Sequence, residues 1–589
     1  MALGTPSESP AVVVREIDLT GGVPNVQSTT GAIVGNFRWG PVAQRVLVDN
    51  EATLVDTFAT PDSDTTVDFH SAQYFLRYSS NLQVVREATS AAKNARSTIG
   101  QLATDSDGSL PTEFIKNDAD WLAQQSALDS DSHTIIAKYP GTLGNSLKVS
   151  ICPSDATAFN SWSYASNFDK APATSDYASD RNAVDDEIHV AVIDEDGKFT
   201  GTKGTVLETF AFLSVASDAK NTDGTTNYAL DIINERSEYV WMVAWDSDYS
   251  TTAGARAPAG TQVDSGDDFS MASPAVVDHS LVRGTNSAAL GTSEVLVGFD
   301  LFEDKDQVEI DFLIAPSMVN TTDQVTVVND LVSTAQSLRK DCIVCASPAR
   351  DDVVNLTSAA DITTNIVTTA NQFTNSSYLV ADNNFLKVYD KYNDQYIFIP
   401  AASSTAGICA ATDLNRAPWF SPAGSRRGQY LGITGLAWTP NKAQRDTLYK
   451  VDVNPIANIP GQGTLLYGDK TMLGRPSAFD RVNVRRLFLI LERAIGRAAQ
   501  QVLFEFNDEF TRAEFVNIVE PVLREVQGRR GITDFRVVCD DTNNTAAVVD
   551  RNEFIANIFI KPARSINYVT LNFVAVRTGV DFEEVVGTV

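Results

Sequence analysis

Side chains that do chemistry are scarce in this chain. Its four histidines, His70, His133, His189 and His279, are scattered, and none has another His or a Cys at metal-ligand spacing. Its five cysteines, Cys152, Cys342, Cys345, Cys409 and Cys539, are sparse and odd in number. That argues against a disulfide framework and fits reduced thiols in a reducing compartment. Cys342 and Cys345 form the one C-x-x-C pair, but it lies in an apolar, strand-like run without a second pair and reads as buried core. No P-loop and no G-x-S-x-G elbow occurs, and Gly461 and Gly463 lack the third glycine and following helix of a dinucleotide site. The acidic run at residues 194–197 lacks the alternating oxygen ligands and closing Glu of a calcium loop. Asp129 and Asp131 read as solvated loop. No catalytic, cofactor-binding or metal-binding residue is assigned, and the expectation is that the chain is not an enzyme and needs no cofactor.

Long apolar runs are also missing. The longest in the helix-rich part is residues 487–491, bounded by Arg486 and Glu492, whereas a membrane span needs about twenty residues. The N-terminus has no basic region followed by an apolar core, so no secretory signal is read. Positive charge is short overall. The net charge of −29 argues against nucleic acid or an anionic membrane as a main partner and makes any local basic patch stand out.

What is present is a long, ordinary globular composition. At 589 residues, with 43% hydrophobic and 21% charged residues, several cored domains are expected. The pattern predicts a mixed α/β, α+β multidomain chain: a C-terminal α/β domain, β-rich domains and extended terminal arms. The boundaries read as an arm at 1–20, a middle α/β domain from 21–90 and 190–355, a polar β-rich insertion at 91–189, a C-terminal domain at 356–566 and a second arm at 567–589. Within the middle domain, strands are expected at 32–35, 46–48 and 82–86, and helices after Asn50, an N-cap, and over 69–78. Strand 308–315, helix 322–339 and strand 342–346 have βαβ spacing. Residues 91–135, 154–188 and 246–290 are polar and read as surface insertions and loops. Residues 189–193 and 199–200 flank Asp196-Gly197, a hairpin signal.

The C-terminal region is the most patterned. A helix starting near Val482 places Val484, Leu487, Phe488, Leu491, Ile495, Ala498 and Val502 on one face. Arg486, Arg493 and Arg497 follow at spacings of seven and four and form a stripe opposite that face. This stripe reads either as a solvated face or as a docking surface for an acidic partner. A second helix has a capping box at Thr511 and Glu514, a staple at Phe510 and Phe515, an expected kink at Pro521 and an end at Gly528. Strands at 535–539, 554–560 and 568–577 follow. In the last, Val569, Leu571, Phe573 and Ala575 share one side. A matching strand at the other end carries Val12, Val13, Val14 and Ile17. A strand at each end of a chain offers its backbone to a neighbour. Gly21 and Gly22 near one end and Pro562 near the other are candidate hinges.

These residues carry a resemblance. Residues 454–463 (NPIANIPGQG), 467–471 (YGDKT) and 482–488 (VNVRRLF) resemble the C-terminal signature of contractile phage tail sheath proteins. The segment 504–510, the Glu520-Pro521 pair and the stretch from Ile399-Pro400 to Trp419 are similar to it too. Residues 35–41 (GNFRWGP), 54–58 (LVDTF) and 139–145 (YPGTLGN) resemble N-terminal parts of the large T-even type. The resemblance implies a virion subunit, assembled in the host cytoplasm, that stacks as hexameric rings in a helical sheath around a tail tube protein. It implies contacts with baseplate and tail terminator proteins, exchange of terminal strands between copies, and contraction that drives the tube through the host envelope. The Arg stripe would then face the tube. Neither nucleic acid nor membrane insertion is implied. A tailocin or secretion-system sheath is the nearest alternative; a Rossmann-like enzyme or an adhesin is more distant.

Overall fold

A computed structural model describes residues 29–97, 114–125, 134–245, 249, 256–271 and 274–565. The strands expected at 12–17 and 568–577, with Val12, Val13, Val14, Ile17, Val569, Leu571, Phe573 and Ala575, lie outside the described residues, as do Gly21 and Gly22. The chain divides into two compact units. The larger spans residues 26–418 and 422–490; the smaller includes 419–421 and everything from 491 onward.

The larger unit is organised by a six-stranded sheet. Its order is Leu379–Ala381, Ile343–Ala346, Phe312–Ile314, Gly31–Gly35, Leu82–Arg86, Arg45–Val48, parallel throughout except for the last, antiparallel pair. Side chains alternate with the strand period of two. Ala32, Val34, Leu313 and Val344 point to one face, where Val327, Val328, Leu331 and Val332 of the Thr321–Ser333 helix cover them. Ile33, Val84, Phe312, Ile314 and Cys345 point to the other, against Leu54, Phe58, Phe69, Phe75, Ala406 and Cys409. A parallel sheet needs both faces covered, and this one has both.

Several local expectations match. Asn50 accepts the Thr53 N–H and caps the Glu51–Phe58 helix. The strand Leu82–Arg86 falls where alternation put it. The strand–helix–strand unit ending in Ile343–Ala346 is parallel, although its first strand is only Phe312–Ile314. The helix expected at 69–78 runs Thr66–Leu76. All five cysteines are buried free thiols.

The chain between Leu82–Arg86 and Phe312–Ile314 builds a second, β-rich core. An antiparallel sheet runs Val277–Ser280, Leu147–Cys152, Glu187–Asp194, Thr205–Ser214. A three-stranded sheet joins Asn94–Arg96, Ile135–Pro140 and Val240–Met242. Two expectations change here. The hairpin closes onto Thr205–Ser214, not onto residues 199–200. Asp194 organises the longer connection by accepting from Ser146 Oγ and from the backbone N–H groups of Lys198, Phe199 and Thr200. The polar stretches are not all loop either. Trp162 is buried and donates its indole N–H to Ser150 Oγ at 2.8 Å, and Val277–Ser280 is a sheet strand.

In the smaller unit, the Glu509–Gly528 helix packs Phe515, Val519, Leu523 and Val526 inward. It lies against an antiparallel ribbon, Ile532–Val538 with Asn557–Pro562. The helix starts three residues before the expected capping box. Asp508, not Thr511, is the N-cap and accepts the Thr511 N–H at 2.9 Å. Phe510 is exposed while Phe515 is buried, so no staple joins them. The helix continues through Pro521 to Gly528.

Candidate assembly interface

The signature residues 454–488 form a locked junction in the larger unit. Asn454 is fully buried. Its Nδ2 donates to the carbonyls of Ala381 (3.1 Å) and Lys470 (2.8 Å), and its Oδ1 accepts the Lys470 N–H (2.8 Å). One side chain thus ties residues 454 and 470 to the end of a core strand. Lys470 Nζ pairs with Asp452 at 2.9 Å, and Arg481 Nη1 bonds both Asp469 (2.9 Å) and the Tyr449 hydroxyl (2.7 Å). This junction fixes where the Val482–Gln500 helix begins.

The first turns of that helix are buried on all sides, including Asn483, Arg485 and Arg486. Arg485 donates to Ser377 Oγ and lies over the rings of Tyr378 (4.4 Å) and Phe479 (4.1 Å). Arg486 donates to the Cys409 carbonyl at 3.1 Å and pairs with the carboxylate of Asp413. Burial opposes its charge, but Asp413 prevails and holds the guanidinium above its ordinary range. This corrects the expected outward stripe. Arg486 is an internal ion pair, because helical spacing assigns a face but cannot show that both faces of these turns are covered. Arg493 and Arg497, in the smaller unit, are partly exposed. The structure therefore does not bring the three arginines onto one outward face.

Pro562 is the last residue of its strand and stands in register with Ile532. Among the described residues, the ribbon it belongs to has two strands, and their side chains are mostly exposed or half-buried. Sequence reading missed the partners of the buried arginines. Ser377, Tyr378 and Asp413 are distant in sequence, and no local signal marks them.

His70 and His189 are held by hydrogen bonds within the fold. His70 Nδ1 is 2.6 Å from Gln73 Oε1, and its Nε2 is 3.1 Å from Asp390. His189 Nδ1 accepts the Phe212 N–H while Nε2 donates to the Lys170 carbonyl, which fixes the Nε2–H tautomer. Among the described residues no group of His, Cys, Asp or Glu could hold a metal ion, and no helix is long and apolar enough to cross a membrane.

Residues 291–472 match the family model for the phage tail sheath protein central domain, and residues 475–575 that for the phage tail sheath C-terminal domain. The tail sheath protein of Enterobacteria phage T4 is 32% identical, with 98% of this chain and 99% of that protein covered. The tail sheath protein of Vibrio phage KVP40 is 31% identical at the same coverage, and that of Salmonella phage ViI is 31% identical with 99% and 98% covered. The crystal structure of a sheath tail protein from Listeria innocua shares the fold, with a TM-score of 0.53 at 12% identity over 92% of this chain and 93% of that one. A near-full-length match to three tail sheath proteins, together with the two domain matches, places the chain in the contractile phage tail sheath protein family.

Proposed function

We propose that copies of this chain stack as hexameric rings into a helical sheath around an inner tail tube, and that the sheath contracts to drive the tube through the host envelope. Baseplate and tail terminator proteins bound its two ends. Assembly takes place in the host cytoplasm, and the work of contraction comes from rearranging the lattice, with no catalytic step. The terminal arms, at 1–20 and 567–589, complete the sheets of neighbouring copies.

One observation carries this reading. The Ile532–Val538 and Asn557–Pro562 ribbon rests on one helix and, among the described residues, has only two strands. Each strand of a two-stranded ribbon keeps an outer edge of backbone N–H and C=O groups that an added strand can pair. Strands added from other copies supply backbone pairing that survives large rigid-body rotation when the linkers flex. Electron microscopy of the purified chain tests it. The expected result is striated hollow cylinders from the full chain and soluble, non-polymerising protein after deletion of residues 1–20. A truncated chain that still builds contractile cylinders refutes strand exchange through the N-terminal arm.

A further inference from the structure

The smaller unit presents an apolar knob. Between the Val482–Gln500 and Glu509–Gly528 helices, Leu503, Phe504, Phe506 and Phe510 all face solvent, with Phe506 83% and Phe510 77% exposed and Phe504 wholly so. Soluble surfaces seldom gather large apolar side chains this densely without a partner. The loop is also held rigidly. Asn507 Nδ2 donates to the Glu553 carbonyl at 2.8 Å, Arg512 donates to Asn507 Oδ1 at 2.9 Å and pairs with Asp541 at 2.7 Å, and Asp508 caps the following helix. Phe504 sits at φ 70°, a strained conformation for an aromatic residue, and it carries the ring outward. The polar side of the loop is bonded inward and the aromatic side is displayed. Such preorganisation lowers the entropic cost of docking. The exposed charges on the knob, Glu505, Asp508 and Glu509, are acidic.

The larger unit presents a surface of opposite charge. Arg416 and Arg426 are exposed and both lie within electrostatic reach of Arg427, and Leu414, two residues before Arg416 in the last turn of the Ala402–Asn415 helix, is 64% exposed. This surface is braced too. Gly424 N–H donates to the Leu466 carbonyl, Leu466 N–H to the Gly428 carbonyl, and Leu431 N–H to the Tyr78 hydroxyl. In a chain of net charge −29, a basic, leucine-flanked surface is unusual.

We infer that the Phe504–Phe506–Phe510 knob of one copy docks on the surface around Leu414, Arg416 and Arg426 of a second copy. The inference rests on the sheath reading and adds a side-chain contact to it. The two surfaces differ, so the contact is head-to-tail and propagates rather than closing on itself as a two-fold dimer would. The aromatic rings supply the buried anchors, and Glu505 opposite Arg426 sets the pairing.

The test measures the concentration at which the full-length chain polymerises, by sedimentation and electron microscopy. F504S/F506S is expected to raise it about tenfold or more, as loss of central aromatic anchors does, with the monomer's circular dichroism and urea midpoint unchanged. E505R and R426E are each expected to raise it, and the E505R/R426E pair to recover most of the loss. The inference is overturned if F504S/F506S polymerises at the wild-type concentration, or if the charge-swapped pair is no better than the single variants. It is also overturned if F504S/F506S polymerises normally alone but no longer coats the tube, since the knob then belongs to the tube contact. A wild-type chain that forms no cylinders, with or without tube protein, removes the sheath reading and this contact together.

Discussion

Arg486 and Arg493 are seven residues apart on one helix, yet they hold different positions. Arg486 is 4% exposed and paired with Asp413; Arg493 is partly exposed. Removing one member of a buried pair leaves the other charge unsolvated, which costs about 3–5 kcal/mol. Arg486→Ala is therefore expected to lower monomer stability by that order in urea denaturation. A change under about 1 kcal/mol would contradict the burial of the pair. Asp382 offers a second test. It is buried among Ser347, Asn384 and Thr405, and burial pushes its carboxyl up to about 7 from 3.8 although these neighbours donate to it. A raised folded value means the protonated form is favoured in the fold. Its contribution is complete below about pH 3.8 and is lost as the pH rises through about 7, each tenfold difference in proton affinity between the folded and unfolded chain being worth about 1.4 kcal/mol. The urea midpoint of the wild type should fall between pH 4 and pH 8, and Asp382→Asn should flatten that decline. A wild-type slope that the substitution leaves unchanged would place the titration elsewhere.

At the scale of elements, the legible parts were those where one short-range signal had no competitor. Asn50 reaches the Thr53 N–H with its own side chain, and Leu82–Arg86 centres on the β-branched pair Val84 and Val85. The second C-terminal helix was read from a capping box at Thr511 and Glu514, whereas the N-cap is Asp508, three residues earlier. Asp508→Ala should cost about 1 kcal/mol of stability, whereas Thr511→Val, which keeps the side-chain shape, should cost less; the reverse order in urea unfolding would reinstate the later start. The hairpin after Glu187–Asp194 was misplaced because Asp-Gly is a turn signal without a length. The loop is longer because the Asp194 carboxylate gathers three N–H groups of its far side. The buried arginines were illegible for a related reason, since most of their partners come from a helix and turns 73 to 108 residues away.

For the whole molecule, family membership was legible because residues 454–488 knit a junction from many specific bonds, and such a junction tolerates few sequences. The fate of the arginine stripe was not, because helical periodicity treats an internal and an external arginine alike. Of the three arginines proposed to face a tube, Arg486 is internal and Arg493 and Arg497 are partly exposed. R493E/R497E should keep the monomer's circular dichroism spectrum and lose co-assembly with tube protein, scored as tube coated per particle in micrographs. Coating at wild-type density would move the tube contact to another surface.

The five sealed thiols bear on the life of the particle after the host bursts. Cys152 is pushed up to about 12 and Cys409 to about 11, chiefly by burial, so almost none of either is thiolate at neutral pH. A sheath built from such subunits meets aerated surroundings with no reactive thiol on its surface. Copies of the chain therefore expose no thiol through which oxidation could join them, and whatever assembly they form needs no reductant to stay free of such links.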